Sequence, residues 1–414
     1  MSDINNILKK GIPFLLAFNA CILLIPNKMK AIPVVLLGLF VLAYYIKSRS
    51  GQFNYRFLLI NSMLFWIFIF SCTYSENINH AFRKIETTAS LIVFPIIFTL
   101  LLQSNFILTK KIKDRILLSF CLSVVIFLCC SFLYFWNQEF TFSETIVHYS
   151  NLIDIRLGLF SIHPIYLSIY IGVSVLFVIH LWDSNKKMKI VFLCMAILYV
   201  LFLAVLARRG PVISLFLIGV LYLIFRFHFK KMLWSVIAMA LFSVIMLSIP
   251  KYQNHNRFKD LYDGTVIKDS SSSLYIRYNV YKCALESIKE RPILGYGLGD
   301  VQKKLTDCYT SKDIGFTNNP YNSHNQYMGL LLIAGFAGIF LYLYTLFLNI
   351  KKSLKFESYL TASFILYFIF NFFTENVLER EAGVILYSFF GCLFLYVLEK
   401  KKMQSTYNSD AISL

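Results

Sequence analysis

The sequence predicts an all-α polytopic membrane protein with about twelve transmembrane helices. Hydrophobic residues make up 58% of the 414 residues, and the mean hydropathy is +0.64. The apolar residues come in runs of about 15 to 24, long enough to cross a bilayer, and basic clusters separate these runs. The first run, residues 12–25, is followed directly by further membrane segments, so we expect no cleaved signal peptide. These observations argue against a set of soluble domains.

The spans fall into two groups around one long polar segment. Membrane helices 1–9 are predicted within residues 1–250, a large outer loop with amphipathic helices over 251–325, helices 10–12 over 326–399 and a cytoplasmic tail over 400–414. The predicted spans are residues 12–25, 31–46, 57–72, 88–103, 116–136, 164–182, 190–207, 211–225, 232–250, 326–349, 356–374 and 384–398.

The distribution of lysine and arginine predicts the orientation. Basic clusters recur in every second loop, and the positive-inside rule therefore puts both termini in the cytoplasm. Lys28 and Lys30, in the first outer turn, are the one local exception. Because the net charge of +18 follows this topology, we expect no nucleic-acid partner. The basic clusters lie at residues 9–10, 47–56, 110–115, 186–189, 226–231, 351–355 and 400–402.

The large outer loop is predicted to contain an amphipathic helix. Its apolar residues recur at helical spacing, and Arg291-Pro292 with Gly295 marks its end. Such a helix suits the membrane surface, where it would cover a site. Cys283 and Cys308 are the only cysteines of this loop, and a disulfide between them is compatible with an oxidising compartment. The predicted apolar stripe consists of Leu274, Tyr278, Tyr281, Leu285 and Ile288.

His324 is the most prominent candidate for catalysis. It stands with Asn325 at the mouth of a predicted membrane helix, with Gly335 and Gly338 deeper in the same helix. A titratable group there is costly unless it is paired or functional, and an imidazole is suited to accept a proton near neutral pH. The two glycines would let another helix approach closely and fix the histidine. The alternative is an interfacial histidine with a purely structural role.

Three arginines that are predicted outside are candidates for binding phosphate. Arg208 and Arg209 lie at the outer end of a span, where basic residues are disfavoured, and Arg277 lies on the predicted loop helix. A planar guanidinium binds two phosphate oxygens at once, which suits a diphosphate. The alternatives are that the pair snorkels to the interface and that Arg277 is an ordinary solvated charge.

Other outer-loop side chains are candidates for supporting roles. The last outer loop carries an acidic-basic cluster of Glu375, Glu379, Arg380 and Glu381. This cluster would pair with the arginines or hold the second nitrogen of His324, and a solvated surface is the equal alternative. His163 precedes Pro164 at the start of a span and would shape the pocket. No residues stand at metal-ligand spacing, so the sequence predicts neither a metal nor a cofactor.

These motifs resemble the bacterial O-antigen ligase and O-antigen polymerase superfamily. The ligase signature is His, then Asn, Ser or Gln, nine residues, Gly, two residues and Gly, Thr or Tyr, and 324–338 fits it fully. The family's Arg, three residues, Leu motif falls on Arg209, with Ile213 in place of leucine. Its outer-loop arginine corresponds to Arg277, ahead of Pro292 and Gly295. Weaker similarities begin at Tyr74, Arg83, His163 and Thr374.

The resemblance implies a membrane glycosyltransferase of the GT-C type in the bacterial inner membrane, with its active site facing the periplasm. It implies an undecaprenyl-diphosphate-linked glycan as donor, lipid A-core as acceptor, membrane lipid as surroundings, and metal-independent, inverting transfer. Arg209 and Arg277, with Arg208 in support, would hold the diphosphate, and His324 would deprotonate the acceptor hydroxyl.

Three alternatives remain open from the sequence, and one of them is a protein-glycosylating member of the same superfamily. An O-antigen polymerase has the same donor and architecture but joins lipid-linked repeats to one another, and the close match to the histidine signature favours the ligase. A transporter of lipid-linked sugars belongs to a different class. It would be supported by two similar six-span halves, and the sequence shows no such repeat.

Overall fold

The computed structural model describes residues 2–49, 53–138, 140–226, 273–312, 314 and 321–412. These residues form α-helices and short 3-10 turns, and no β-strand occurs among them. The predicted span 232–250 and the beginning of the predicted outer loop, 251–272, lie outside the described residues. The helices are α1 (Ser2–Ala20), α2 (Ala31–Ser48), α3 (Tyr55–Cys72), α4 (Ile78–Thr88), α5 (Ser90–Leu102), α6 (Lys110–Gln138), α7 (Phe142–Ile155), α8 (Pro164–Ser184), α9 (Lys189–Leu206), α10 (Arg209–Arg226), α11 (Ser273–Glu290), α12 (Val301–Ser311), α13 (Gln326–Lys355), α14 (Tyr359–Asn371) and α15 (Glu381–Ile412).

Each predicted span within the described residues falls on a helix. Seven helices (α2, α3, α6, α8, α9, α13 and α15) are long and apolar enough to cross a membrane. Helices α4 and α5, bent by 41° at their junction, form an eighth if they are one span, and α10 and α14 are shorter apolar helices. The architecture is therefore that of a polytopic helical membrane protein, while the count of about twelve spans stays a prediction.

Helices α8 and α15 are the most enclosed members of the bundle. Helix α8 packs against α6, α9, α10 and α14, and α15 packs against α5 and α14. Phe120, Phe177, Phe364 and Phe390 join α6, α8, α14 and α15, with ring centroids 4.9 Å apart for Phe120–Phe390 and 4.8 Å for Phe177–Phe390. Edge-on aromatic contacts of this kind add to the burial of apolar area, so the four helices are firmly held together.

The outer surface of the bundle is apolar. Large hydrophobic side chains such as Phe14, Ile46, Ile190 and Phe340 are 67–79% exposed. A soluble protein rarely leaves so much apolar surface in contact with water, whereas lipid tails cover it without cost. The exposed side chains therefore support a lipid-facing surface, in agreement with the hydropathy of the sequence.

The two termini of helix α8 mark the two ends of the bundle. His163 precedes its first residue and His180 lies one turn from its last, so the two ends are about 30 Å apart, the thickness of a hydrocarbon core. We call these ends the His324 end and the basic end. At the basic end Lys113 contacts His180, Lys352 forms an ion pair with a glutamate of α15, and Lys400 donates to two carbonyl groups where α5 ends. Basic clusters of three separate predicted loops thus gather at one end.

Candidate active site

Asn325 fixes the position of His324 by capping helix α13. The Oδ1 atom of Asn325 accepts hydrogen bonds from the backbone N–H groups of Tyr327 and Met328, at 3.0 and 3.1 Å. The N–H groups of a first helical turn have no partner within the helix, and such a cap satisfies them. Asn325 therefore determines where α13 begins and holds the preceding histidine at the end of the bundle.

His324 has a left-handed backbone conformation, with φ of 44°. This conformation costs a residue other than glycine about 1–3 kcal/mol and persists only where neighbouring contacts hold it. Both neighbours of His324 contact the buried Asn376. The Asn376 Oδ1 atom accepts from the backbone N–H of Asn325 at 2.7 Å and lies 3.1 Å from the hydroxyl of Ser323. The carbonyl of Asn376 in turn accepts from the Tyr166 hydroxyl at 3.1 Å, which connects this brace to α8.

The imidazole of His324 faces the carboxylate of Glu375. Nδ1 and Oε2 are 3.3 Å apart, and the two side chains are 26% and 9% exposed. Burial acts to raise the pKa of Glu375, but the hydrogen bond with His324 and the nearby charges of His324, His163 and Arg277 outweigh it, so the pKa lies below its ordinary value. Glu375 is therefore an ionised acceptor, and a hydrogen bond from Nδ1–H favours, in a neutral imidazole, the tautomer in which Nε2 carries the lone pair.

Arg277 of α11 reaches the segment that carries Glu375. Its Nη2 atom donates to the backbone carbonyl of Thr374 at 3.4 Å. Tyr281, one turn later on α11, donates from its hydroxyl to the backbone carbonyl of His324 at 3.5 Å. Helix α11 therefore supplies both a cation and a direct contact to the histidine.

Arg208 and Arg209 lie at the junction of α9 and α10. Arg208 donates from Nη2 to the Ser150 hydroxyl of α7 at 3.0 Å, and Arg209 is the first residue of α10. The next residue, Gly210, packs closely against Thr374: a Cβ atom there would lie 2.4 Å from the Thr374 hydroxyl oxygen. The start of α10 therefore touches the same segment that Arg277 reaches from α11.

His163 and Arg380 lie at the edge of this group. Nδ1 of His163 accepts from the backbone N–H of Ile165 at 3.4 Å, at the start of α8. Burial lowers the pKa of His163, two nearby carboxylates partly oppose this, and the charges of Arg208 and Arg380 lower it further. The pKa of His163 therefore lies below its ordinary value of 6.5. The side chain of Arg380 is exposed.

Gly335 breaks helix α13, and the segment that packs against it is a loop rather than a helix. Its φ of 59° and ψ of −162° are accessible only to glycine, and a Cβ atom would lie 2.2 Å from the carbonyl of Ile293. The expectation that Gly335 admits a neighbouring helix is therefore wrong, whereas Gly338 does face a helix, since a Cβ there would lie 3.1 Å from Ile67 of α3. Four backbone bonds join the break to the loop: Tyr296 N–H to Leu332 O at 2.7 Å, Gly297 N–H to Ile333 O at 3.0 Å, Phe336 N–H to Pro292 O at 2.8 Å and Ala337 N–H to Ile293 O at 3.2 Å.

This arrangement satisfies the backbone groups that the break in α13 would otherwise leave without partners. Inside a bilayer each such group costs several kcal/mol, so a broken helix is stable only where protein supplies the missing bonds. The donors and acceptors come from the turn after α11, in which Gly295 and Gly297 have positive φ. This turn therefore couples α11 to α13.

Helix α11 is held in place by α12 and by a disulfide. Cys283 and Cys308 are bonded, a pairing that the sequence left open. The predicted apolar stripe is wrong in part: Tyr278 and Leu285 are 54% and 49% exposed, and the buried face instead includes Val280 and Cys283. The disulfide and the contacts with α12 and α13 select this face, and neither is visible in the periodicity of one helix.

Sequence reasoning missed the residues that brace His324 from the last outer loop. Asn376 and Ser323 hold its flanking backbone, as described above. Gln326 adds a further link, because its Oε1 accepts from the N–H of Leu378 at 2.7 Å and its own N–H donates to the carbonyl of Phe372 at 2.8 Å. Amide side chains immediately beside apolar runs are the signal that was available for these residues, since burial there requires a specific partner.

The assembled side chains are suited to acid-base chemistry next to a bound anion. A histidine with an ionised carboxylate partner stands beside a segment that also contacts two arginine-bearing elements. Over the residues that the structure describes, no group of three or more His, Cys, Asp or Glu side chains has an arrangement that would hold a metal ion.

Comparison with known proteins finds a family match over part of the chain. Residues 192–343 match a family model described as O-antigen ligase, a stretch that includes Arg208, Arg209, Arg277, His324 and Gly335. The chain is also similar to an uncharacterised protein of Haemophilus influenzae, with 25% identity over 393 residues that cover 89% of this chain and 94% of that protein. The apolar helices and the family match together identify a multi-pass membrane protein. The match over residues 192–343 supports membership of the O-antigen ligase and polymerase superfamily, whose members are glycosyltransferase-like enzymes.

Proposed function

We propose that this protein is a ligase-type glycosyltransferase that moves a glycan from undecaprenyl diphosphate to a sugar hydroxyl of lipid A-core. The reaction would take place at the His324 end of the bundle, on the periplasmic side of a bacterial inner membrane. The family match supports ligase or polymerase activity in general. The observation that carries the proposal further is the pairing of His324 with the buried carboxylate of Glu375.

In the proposed reaction His324 acts as the general base. Glu375 accepts from Nδ1–H and stabilises the imidazolium, so Nε2 is free to take the proton of the acceptor hydroxyl. The hydroxyl oxygen attacks the anomeric carbon of the donor sugar from the face opposite the diphosphate. The bond between that carbon and the diphosphate oxygen breaks, the electron pair leaves with the lipid diphosphate, and the configuration at the anomeric carbon is inverted.

The arginines would stabilise the charge that develops on the leaving diphosphate. Arg209 and Arg277 belong to elements that contact the same segment, at Thr374, and Arg208 is adjacent. Bidentate guanidinium contacts suit two neighbouring phosphate groups, and their contribution is larger in a site from which water is partly excluded. The polyprenyl tail would then extend along the apolar side chains of the bundle.

Variants of His324 and Arg209 test the proposed roles in purified protein. We expect His324→Ala to abolish glycan transfer while binding of the lipid diphosphate stays measurable, because the base is lost and the anion site is kept. We expect Arg209→Lys to lower transfer at least about 100-fold, since an ammonium cannot replace the bidentate fork. His148→Ala, an exposed histidine of α7, is the matched control and should be fully active. Wild-type transfer by Arg209→Lys would refute the assignment, and loss of lipid-diphosphate binding in His324→Ala would make the histidine structural.

The surface glycan of a deletion strain distinguishes the ligase from a polymerase with the same site chemistry. If the protein is the ligase, long glycan chains accumulate on the lipid carrier, because they are made but not transferred to lipid A-core. If it is the polymerase, single repeats appear on the core. Transfer of glycan between lipids by the purified protein in detergent would exclude a transporter, which catalyses no such reaction.

A further inference from the structure

A cavity of about 460 Å³ lies between helices α8, α9, α10 and α14. Most of its wall is apolar, with Leu176, Leu203, Leu215 and Phe216 among the lining residues. The proposed transfer reaction uses none of these side chains. The volume is in the range of sites that bind small molecules, and an apolar wall selects a hydrocarbon group over a polar solute.

The cavity becomes basic toward the basic end of the bundle, where Lys113, His180 and Lys401 line it. The side-chain nitrogen of Lys113 lies 3.2 Å from Nε2 of His180. Asp114 lies 3.7 Å from the same nitrogen and balances part of the local charge. Lys113 and Lys401 are the two lysines that line this part of the cavity.

A second cavity, of about 390 Å³, adjoins the first at these lysines. Both are lined by Lys113, Ser358 and Lys401, and the second adds Lys110 and Lys400. The only carboxylate that lines either cavity among the described residues is the exposed Glu357. The pair of cavities therefore combines a hydrocarbon-sized interior with a net positive entrance.

We propose that the two cavities bind an anionic phospholipid of the leaflet at the basic end. Its phosphate would lie at Lys113 and Lys401, where clustered lysines between membrane helices attract anionic headgroups, and an acyl chain would enter the apolar cavity. The tail of the proposed polyprenyl donor is the competing occupant. The lysines argue against it, because the far end of a polyprenyl chain carries no charge, whereas an anionic headgroup needs cations at this depth.

This site is separate from the proposed active site. His180 lies at one end of α8 and His163 at the other, about 25 Å away along a helix that rises about 1.5 Å per residue. A phosphate at Lys113 would therefore be too distant to contact His324 or the arginines beside it. Lipid binding at the basic end can be measured without glycan transfer. A negative result for lipid binding is therefore distinguishable from a negative result for the proposed transferase activity.

Lipid titration of the purified full-length protein tests the proposal. Native mass spectrometry would count bound lipid, and a thermal shift would report the effect on stability. We expect phosphatidylglycerol to bind and to raise the melting temperature, and phosphatidylcholine, inorganic phosphate and a polyprenol not to do so. Each lysine is worth about fivefold in affinity for an anionic headgroup, so Lys113→Gln combined with Lys401→Gln should weaken phosphatidylglycerol binding about 30-fold. Lys111→Gln, an exposed neighbour that lines neither cavity, is the matched control.

A cavity-filling variant tests the apolar half of the site separately. Gly219 of α10 lines the cavity, and Gly219→Leu should reduce phosphatidylglycerol binding while the lysines are intact. The proposal is overturned if phosphatidylcholine binds equally, if inorganic phosphate alone gives the same shift, or if polyprenol binds independently of the lysines. If Gly219→Leu does not elute as a single species in size-exclusion chromatography, the Lys113→Gln, Lys401→Gln double variant alone tests the proposal. Lys113→Arg keeps the positive charge and should keep phosphatidylglycerol binding.

Discussion

Replacing Gly335 by alanine tests whether the break in α13 organises the site. Alanine would have to adopt φ of 59° and ψ of −162°, and its Cβ atom would lie 2.2 Å from the carbonyl of Ile293. The turn after α11 must then move away from α13. We therefore expect a loss of stability together with a loss of activity, because this turn connects the helix of Arg277 to the helix of His324.

The size of the effect follows from the contacts at the break. The backbone conformation costs alanine about 1–3 kcal/mol, and loss of two of the four backbone hydrogen bonds adds about 2 kcal/mol, so the free energy of unfolding should fall by about 3–5 kcal/mol. Gly391 is the matched control: it lies within α15, and a Cβ atom there has its nearest neighbour at 3.9 Å. Gly391→Ala should leave stability unchanged or raise it by up to about 1 kcal/mol.

Denaturation of the two variants in detergent micelles, followed by circular dichroism, compares them with the wild type. The same preparations are assayed for glycan transfer, so that each stability change is paired with an activity. If Gly335→Ala is as stable as Gly391→Ala, the loop does not hold the break in α13 and this account of Gly335 is refuted. A destabilised but fully active Gly335→Ala would show that the coupling between the two helices is structural only.

Three further predictions concern the neighbouring elements. Glu375→Gln should lower glycan transfer at least about 100-fold, because the imidazolium loses its partner, whereas the exposed Glu86→Gln should be unaffected in the same assay. The pKa of Glu375 lies below its ordinary value of 4.5, so the charged carboxylate stabilises the fold at every pH above 4.5. The difference in melting temperature between wild type and Glu375→Gln should therefore stay constant near neutral pH and shrink only below pH 4.5. Reduction of the Cys283–Cys308 disulfide, which closes a loop with a sequence separation of 25, should destabilise the pairing of α11 with α12 by about 3 kcal/mol, measured as a fall in melting temperature with reductant that is absent in the Cys283→Ser, Cys308→Ser double variant.

Each of these predictions has a contradicting result. Full transfer activity of Glu375→Gln would mean that His324 works without this carboxylate. A stability difference that already disappears near neutral pH would mean that Glu375 titrates in its ordinary range or above it. If reductant does not change the melting temperature of the wild type, packing between α11 and α12, and not the disulfide, determines their association.

Much of the fold could be predicted because helix formation in a membrane depends on local composition. A run such as 164–182 is apolar over its whole length, and the helix found there, Pro164–Ser184, begins at the proline that favours a first turn. The start of α13 was similarly marked by an asparagine cap after His324. The prediction of the apolar stripe of α11 was wrong in part for the opposite reason. The buried face of that helix depends on α12 and on a disulfide rather than on the periodicity of its own sequence.

The sequence by itself determined the membrane class, the positions of most helices and the identity of His324, Arg208, Arg209 and Arg277 as candidates. Hydropathy, charge and short motifs are local properties, and each can be read without knowing which helices touch. Only the tertiary structure decided that Glu375 faces His324 across 51 positions of the chain. It also decided that a loop fills the break at Gly335, and that lysines from separate helices border one cavity. These facts depend on how helices pack, and packing is set by the shape and polar partners of many side chains at once.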